Sequence, residues 1–263
     1  MEAKNSYYKL SDTSQLDFED GWYDAMHPEH FWLKWRNDVF LKYIHHEDLA
    51  DKNLKVLDIG AGTAVTRHLI EKSTNWTIDA ADLNPAALKN ALTGRGDLFL
   101  YNIFDLNDDL VGKYDAIILF DVIEHIKEPE AFLEVAAKHL KPNGYIFLNV
   151  PALQTFYSIF DEVMGHHRRY NKKNLVEQMD RSNIQTLSCG YWGLSLLPFL
   201  VARKVIFDVL KSSSKNNAEI AQDGVTPPNK LMNSIFHIIE SIETFCFQKT
   251  TLGTSVMLVG RKA

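Results

Sequence analysis

Between Leu54 and Pro151 the chain alternates short β-branched runs with stretches of helical period, a pattern that βαβ units around a parallel sheet accommodate. Strands are predicted at Lys55–Ile59, Trp76–Ala80, Leu98–Tyr101, Tyr114–Phe120 and Gly144–Val150. Helices are predicted over Thr63–Lys72, Pro85–Leu92 and Pro129–Leu140. The second starts with Asn84 as N-cap and Pro85 at the first helical position, and the third stops at Lys141-Pro-Asn-Gly144. Upstream, Pro28–His46 reads as an amphipathic helix. Two later strands, Ile184–Tyr191 and Ser255–Arg261, flank an insertion made of an apolar helix at Leu194–Leu210, a polar stretch at Ser212–Pro228 and an amphipathic helix at Asn229–Phe247. At 263 residues the chain makes one large domain, or one domain with an insertion.

The first strand runs straight into Gly60-Ala-Gly62, so a glycine turn sits where backbone N–H groups emerge at a helix N-terminus. Gly60 and Gly62 permit a tight turn and close backbone approach, and Ala64 supplies a third small residue. Such a run alone also occurs as a simple turn, and the second strand adds the deciding information. It leads to Asp82, 22 residues beyond Gly60, where a carboxylate can accept both hydroxyls of a ribose. A nicotinamide dinucleotide and S-adenosylmethionine both suit that much. Asp58, two residues before Gly60, separates them: a carboxylate there opposes a pyrophosphate but suits a phosphate-free ligand with an ammonium and a sulfonium.

Val56–Ala64, Asp82-Leu-Asn-Pro85, Asn102-Ile-Phe-Asp-Leu106, Tyr114–Ile126 and Leu140-Lys-Pro-Asn-Gly144 together resemble the successive motifs of the class I S-adenosylmethionine-dependent methyltransferases. The resemblance covers roughly residues 50 to 152. It implies an α/β, Rossmann-like, doubly wound sheet of about seven strands with the last antiparallel, which agrees with the two late strands. It also implies S-adenosyl-L-methionine as cofactor and S-adenosyl-L-homocysteine as product. Asp58 with Gly60, Ala61 and Gly62 would then hold the methionine part, Asp82 the ribose, and Leu83 the adenine, with Asn102 and Ile103 at the adenine edge. Phe120 and Asp121 end the fourth strand at the edge where open α/β sheets bind ligands. His125, in the Glu-His pair just beyond, is a candidate base.

On the acceptor side, Phe156–Tyr170 concentrates carboxylates, imidazoles, guanidiniums and aromatics just past the fifth strand. Its Asp-Glu-x-x-Gly-His-x-Arg-Arg-Tyr pattern resembles a bacterial branch of the family associated with glycan, lipid or secondary-metabolite pathways. His30-Phe-Trp-Leu-Lys-Trp-Arg36 resembles that branch's opening helix, which implies that Trp32 and Arg36 close over the cofactor, with Arg36 pairing its carboxylate. For a hydroxyl acceptor, His166 is the expected base and Asp161 its orienting partner. Arg168 or Arg169 would bind an anionic group of the substrate, while Trp35, Phe156, His167, Tyr170 and Trp192 are expected to contact or roof it. The alternative is that Asp161 and the arginines are a structural ion-pair network that pins the loop. No metal is expected from His166-His167 with Asp161 and Glu162, because adjacent histidines project apart.

Composition excludes several functions. With 28 basic and 34 acidic residues the net charge is −6, so no overall positive field draws in nucleic acid. The fourth strand also lacks the Asp/Asn-Pro-Pro-aromatic tetrad of DNA amino-methyltransferases. A polar N-terminus and only two cysteines predict a cytoplasmic, reduced protein. The longest apolar stretch, Tyr191–Leu210, carries Arg203 and Lys204, each costing roughly 2.5–3.5 kcal/mol at mid-membrane, so a spanning helix is not expected. The expected division is a helical cap at 1–50, a cofactor-binding core at 51–192, an insertion at 193–253 and a final core strand at 254–263. The insertion would serve as a lid, a homodimer surface or a peripheral membrane contact. The leading function is methyl transfer, most readily to oxygen, on a small-molecule, glycan or lipid-linked acceptor. A non-catalytic cofactor-binding partner and a nicotinamide-dependent oxidoreductase are the alternatives, the latter disfavoured by Asp58 and by the lack of a matching Tyr-x-x-x-Lys.

Overall fold

The computed structural model describes residues 6–13, 27–210, 230–246 and 250–263. The polar stretch expected at Ser212–Pro228 lies outside them. The strands are β1 (Tyr8–Lys9), β2 (Lys55–Ile59), β3 (Thr77–Asp82), β4 (Leu98–Leu100), β5 (Tyr114–Phe120), β6 (Leu140–Pro151), β7 (Ile184–Trp192) and β8 (Ser255–Lys262). They form one sheet in the order β1-β4-β3-β2-β5-β6-β8-β7. Only β8 runs against its neighbours. The expected doubly wound sheet with an antiparallel last strand is present, with one strand more than the seven anticipated. The addition is β1, a two-residue strand parallel to β4 at the sheet edge. Two residues carry no readable periodicity, and the first part of the expected helical cap therefore belongs to the sheet.

The central strands are apolar on both faces because helices cover both. Along β5, Ile117 and Leu119 enter one core cluster with Phe132, Leu133, Leu175 and Met179. Ala116, Ile118 and Phe120 enter the other with Trp35, Phe40, Ile44 and Ile70. The first face is thus covered by α4 (Pro129–Lys138) and α6 (Lys172–Arg181), and the second by α1 (Phe31–His46) and α2 (Val65–Ser73). Between α2 and α4 lies the short α3 (Pro85–Lys89), which starts as expected: Asn84 Oδ1 accepts from the Ala86 and Ala87 amides at 2.8 and 3.3 Å. Helix α1 begins at Phe31 rather than Pro28, since His30 Nδ1 caps it by accepting from the Trp32 amide at 3.2 Å. Helix α2 begins two residues later than expected, because Ala64 takes the left-handed conformation (φ 57°) that ends the glycine turn.

The short α5 (Ile159–Val163) follows β6 and leads into α6; the insertion contributes α7 (Leu197–Leu210) and α8 (Lys230–Cys246). Glu243 on α8 faces inward, and its carboxylate accepts from the backbone amides of Gly193, Leu194 and Ser195 at 2.7–2.9 Å. Ile235, Ile238 and Ile242 of α8 face outward and are exposed. Among the described residues no helix is long and apolar enough to cross a membrane.

Candidate active site

The C-terminal ends of β2, β3 and β5 assemble the first half of the site. After β2, Gly60 (φ +75°) and Gly62 (φ +54°) turn the chain, and the amides of Gly60 and Ala61 donate to the Ala81 carbonyl at 2.9 and 3.1 Å. A Cβ on Gly60 would lie 2.8 Å from Val122 Cγ2, so this glycine also lets the turn after β5 close in. Asp82 accepts from the Gly62 amide at 2.6 Å and the Asn84 amide at 2.8 Å, which ties the end of β3 to the glycine turn. Beneath the turn Asp58 is 2% exposed, and its Oδ2 has no hydrogen-bond partner. Burial pushes its carboxyl up to about 7, with Asp82 adding to the rise and Arg36 and Arg67 opposing it.

A polar chain crosses from α1 to the last strands. Arg36 pairs with Asp121 and donates to Thr66 Oγ1 at 2.6 Å, and its guanidinium carbon lies 5.0 Å from the ring centres of Trp32 and Phe120. Asp121, with a left-handed backbone (φ 57°) at the end of β5, accepts from Asn149 Nδ2 at 2.9 Å. Asn149 Oδ1 in turn accepts from Trp192 Nε1 at 2.9 Å.

The second half is built by the loop after β6. Asp161 is fully buried and accepts from His166 Nδ1 at 2.9 Å and Arg169 Nε at 2.7 Å. Burial would raise its carboxyl, but the hydrogen bond from His166 and the charge and hydrogen bond of Arg169 bring it down to about 2. An ionised carboxylate only accepts, so the proton of this pair sits on Nδ1, and neutral His166 keeps its lone pair on Nε2. The His125 ring lies edge-on to that of His166, centroids 4.7 Å apart. Between these halves Glu124 is 1% exposed, and beyond its own backbone amide no donor reaches either carboxylate oxygen. Burial and the neighbouring Asp121 charge hold this carboxyl well above the usual range.

The expected pairing of His166 with Asp161 is present. Asp58, Gly60, Ala61, Gly62 and Asp82 lie around one turn, and Leu83 is half-buried beside them. Several residues expected on the substrate side are buried. Trp35 is 1% exposed and packs in the core. Tyr170 is buried with its hydroxyl donating to the Ile123 carbonyl at 3.3 Å, and Trp192 is spoken for by Asn149. Arg169 is buried and paired with Asp161, while Arg168 donates to the Lys127 carbonyl at 2.7 Å. His167 is exposed and Phe156 half-buried. On the cofactor side, Ile103 is 2% exposed and packs in the core, and Asn102 Oδ1 caps the following 3₁₀ turn through the Phe104 amide at 3.2 Å. Arg36, expected to pair a ligand carboxylate, is engaged with Asp121 and Thr66. Sequence reasoning noted Glu124 only as the partner of His125 in the Glu-His pair, and passed over Asn149, Thr66 and Val122. The signal for Asn149 was a polar residue inside the apolar run Tyr145–Val150.

The residues fit S-adenosylmethionine. A buried carboxylate with an unpartnered oxygen below a glycine turn suits a cationic ligand and repels a pyrophosphate.

A family model described as a methyltransferase domain matches residues 27–188, more than half of the chain. The chain belongs to this family and carries its Rossmann-like α/β fold. Among characterised proteins it is 27% identical over 154 residues to a ubiquinone biosynthesis O-methyltransferase of Xanthomonas axonopodis pv. citri (strain 306). That match spans 56% of this chain and 63% of the relative, under two thirds of the relative's length. Among solved structures, a sarcosine dimethylglycine methyltransferase so described from Galdieria sulphuraria superposes with a TM-score of 0.59 at 14% identity, covering 87% of this chain and 85% of that one. Coclaurine N-methyltransferase bound to N-methylheliamine and S-adenosylhomocysteine superposes with a TM-score of 0.52 at 16% identity, covering 86% and 72%. At these identities the two structures speak for the fold.

Proposed function

We propose that the chain transfers a methyl group from S-adenosylmethionine to a hydroxyl of a small-molecule, glycan or lipid-linked acceptor. The observation that carries the reading is the buried Asp58 carboxylate under the Gly60–Gly62 turn, with Asp82 at the neighbouring strand end. When bound, S-adenosylmethionine supplies an electrophilic methyl on a sulfonium. Asp58 offers a negative partner to the cationic methionine end. Asp82 uses lone pairs on the Gly62, Leu83 and Asn84 amides, and of a carboxylate's roughly four lone-pair directions one is left for a ribose. Trp32 and Phe120, each with its ring centre 5.0 Å from the Arg36 guanidinium carbon, give aromatic surface that excludes water.

On the acceptor side, Asp161 fixes the imidazole so that His166 Nε2 can take the hydroxyl proton. His125 and His167 stand next to it, and Arg168 on the loop edge can meet an anionic group. An oxygen acceptor is supported by the O-methyltransferase name of the relative from Xanthomonas. The exposed isoleucines of α8 support a second role for 193–253, as a homodimer surface or a peripheral membrane contact beside the lid; gel filtration and sedimentation with anionic vesicles distinguish the two.

The test is calorimetric titration of S-adenosylhomocysteine into wild type and Asp82→Ala, with NADH as control ligand. Binding of S-adenosylhomocysteine alone, weakened at least tenfold in the variant, is expected; binding of NADH instead would overturn the reading. Once an acceptor is found, His166→Ala is expected to lower turnover at least about tenfold with cofactor affinity intact, since a positioned base contributes about 10²–10⁴. Unchanged turnover would remove His166 from the reaction.

A further inference from the structure

The Glu124 carboxylate poses a problem that the methyl-transfer reading does not solve. It is 1% exposed, reaches no donor outside its own residue, and points into a space shared with two imidazoles. Buried polar atoms without partners are rare in native folds and mark a missing ion, water or ligand. One potential ligand atom each from Glu124, His125 and His166 lie within 4.8 Å of one another. These three come from two separate segments, the turn after β5 and the loop after α5.

We propose that Glu124, His125 and His166 form a divalent-cation site of the zinc type, and that filling it silences His166 as a base. Two imidazoles and one carboxylate are a donor set suited to Zn²⁺, and three protein ligands leave a fourth position open to solvent. Ligand atoms about 2.0–2.1 Å from a tetrahedral zinc stand about 3.3 Å apart, so the three must draw together by at most roughly 1.5 Å. The His125 ring is hydrogen-bonded to the Gly165 and Met164 backbone, so that movement shifts the ring together with the loop after α5. The support around the ligands matches what metal-bound histidines require. A metal-bound imidazole almost always gives its other N–H to a carboxylate or carbonyl. His166 gives its Nδ1 proton to Asp161, leaving Nε2 for the cation. The charges fit as well: Glu124, Asp121 and Asp161 bring three carboxylates, of which Arg36 and Arg169 balance two.

The silencing part rests on the proposed base role of His166, because coordination occupies the same Nε2 lone pair. The binding part does not depend on that role. The experiment is titration of Zn²⁺ into the chelator-treated full chain in a non-coordinating buffer, for wild type, Glu124→Gln, His125→Gln, His166→Gln and, as control, His46→Ala on the exposed last turn of α1. One zinc per chain is expected, weakened at least tenfold by each of the first three substitutions and unchanged by the fourth. Co²⁺ substitution provides a second readout, with a four-coordinate visible spectrum lost in Glu124→Gln even where that variant folds with altered stability. Absence of one-to-one binding, or binding indifferent to Glu124 and His125, would overturn the site. Saturating Zn²⁺ is expected to lower wild-type turnover at least tenfold, reversed by chelator, and a rise in turnover would overturn the silencing. S-adenosylhomocysteine binding measured on the same samples keeps the two readings apart: its failure removes the methyltransferase assignment and leaves the zinc titration standing.

Discussion

Asp58 is the residue whose energetics cut both ways. In the unliganded fold its carboxyl titrates at about 7 against 3.8 for an ordinary aspartate, so the folded state holds a proton that the unfolded chain gives up at lower pH. Stability is therefore lost progressively as pH rises from about 4 to about 7. At about 1.36 kcal/mol per unit over some three units, the ceiling is on the order of 4 kcal/mol. Asp58→Asn should raise the melting temperature at pH 8 and leave it nearly unchanged at pH 4. The same substitution should weaken S-adenosylmethionine binding, because the cationic ligand needs the ionised carboxylate. In wild type, affinity should fall toward tenfold per unit below about pH 7, and calorimetry from pH 5.5 to pH 8 checks this; a flat profile would dissociate Asp58 from the ligand. Asp58 was legible in the sequence because its meaning depends on local neighbours, the strand before it and the glycines after it. Glu124 was not, because its meaning comes from His166 on a distant loop.

Among the elements, α8 shows a mixed pattern: Glu240 and Glu243 turn inward beside Phe236, while Ile235, Ile238 and Ile242 turn outward. The inward Glu243 replaces solvent for three amides at the start of the turn leading into α7. Glu243→Ala leaves those donors without their partner and should cost about 2–3 kcal/mol locally. Limited proteolysis should then cut the 193–253 segment sooner, while the sheet keeps its far-ultraviolet signature; unchanged cleavage would show that packing alone holds α8. The helix periods in the insertion were readable, but the role of Glu243 was not, since a helical pattern names a face without naming what it meets. The same limit explains the aromatics: Trp35 and Trp192 read equally well as cleft walls and as core, and only the packing of α1 against β8 and the Asn149 contact decide. By contrast β5 was legible almost to the residue, because a strand buried on both faces writes an unbroken apolar run.

At the scale of the whole molecule, the glycine turn after β2 and the turn after β5 meet at Gly60 and Val122. A methyl on residue 60 would meet Val122 at 2.8 Å and force a left-handed backbone on a side chain that resists it. Gly60→Ala should destabilise the fold by about 2 kcal/mol and weaken S-adenosylhomocysteine binding at least tenfold. Adding Val122→Ala should restore the space but not the backbone term, so the double variant recovers part of the loss; thermal melts of all four proteins measure the coupling, and strict additivity would disprove the contact. The strands of the core and the glycine turn were thus visible from periodicity and spacing and the antiparallel last strand from the family resemblance, whereas β1 was too short to show. The close approach of residues 60 and 122 also constrains descent. Lineages that enlarge position 60 should be found with a trimmed residue at 122, so these two sites are expected to change in concert across relatives, and the history of one strand-end turn is written into its neighbour.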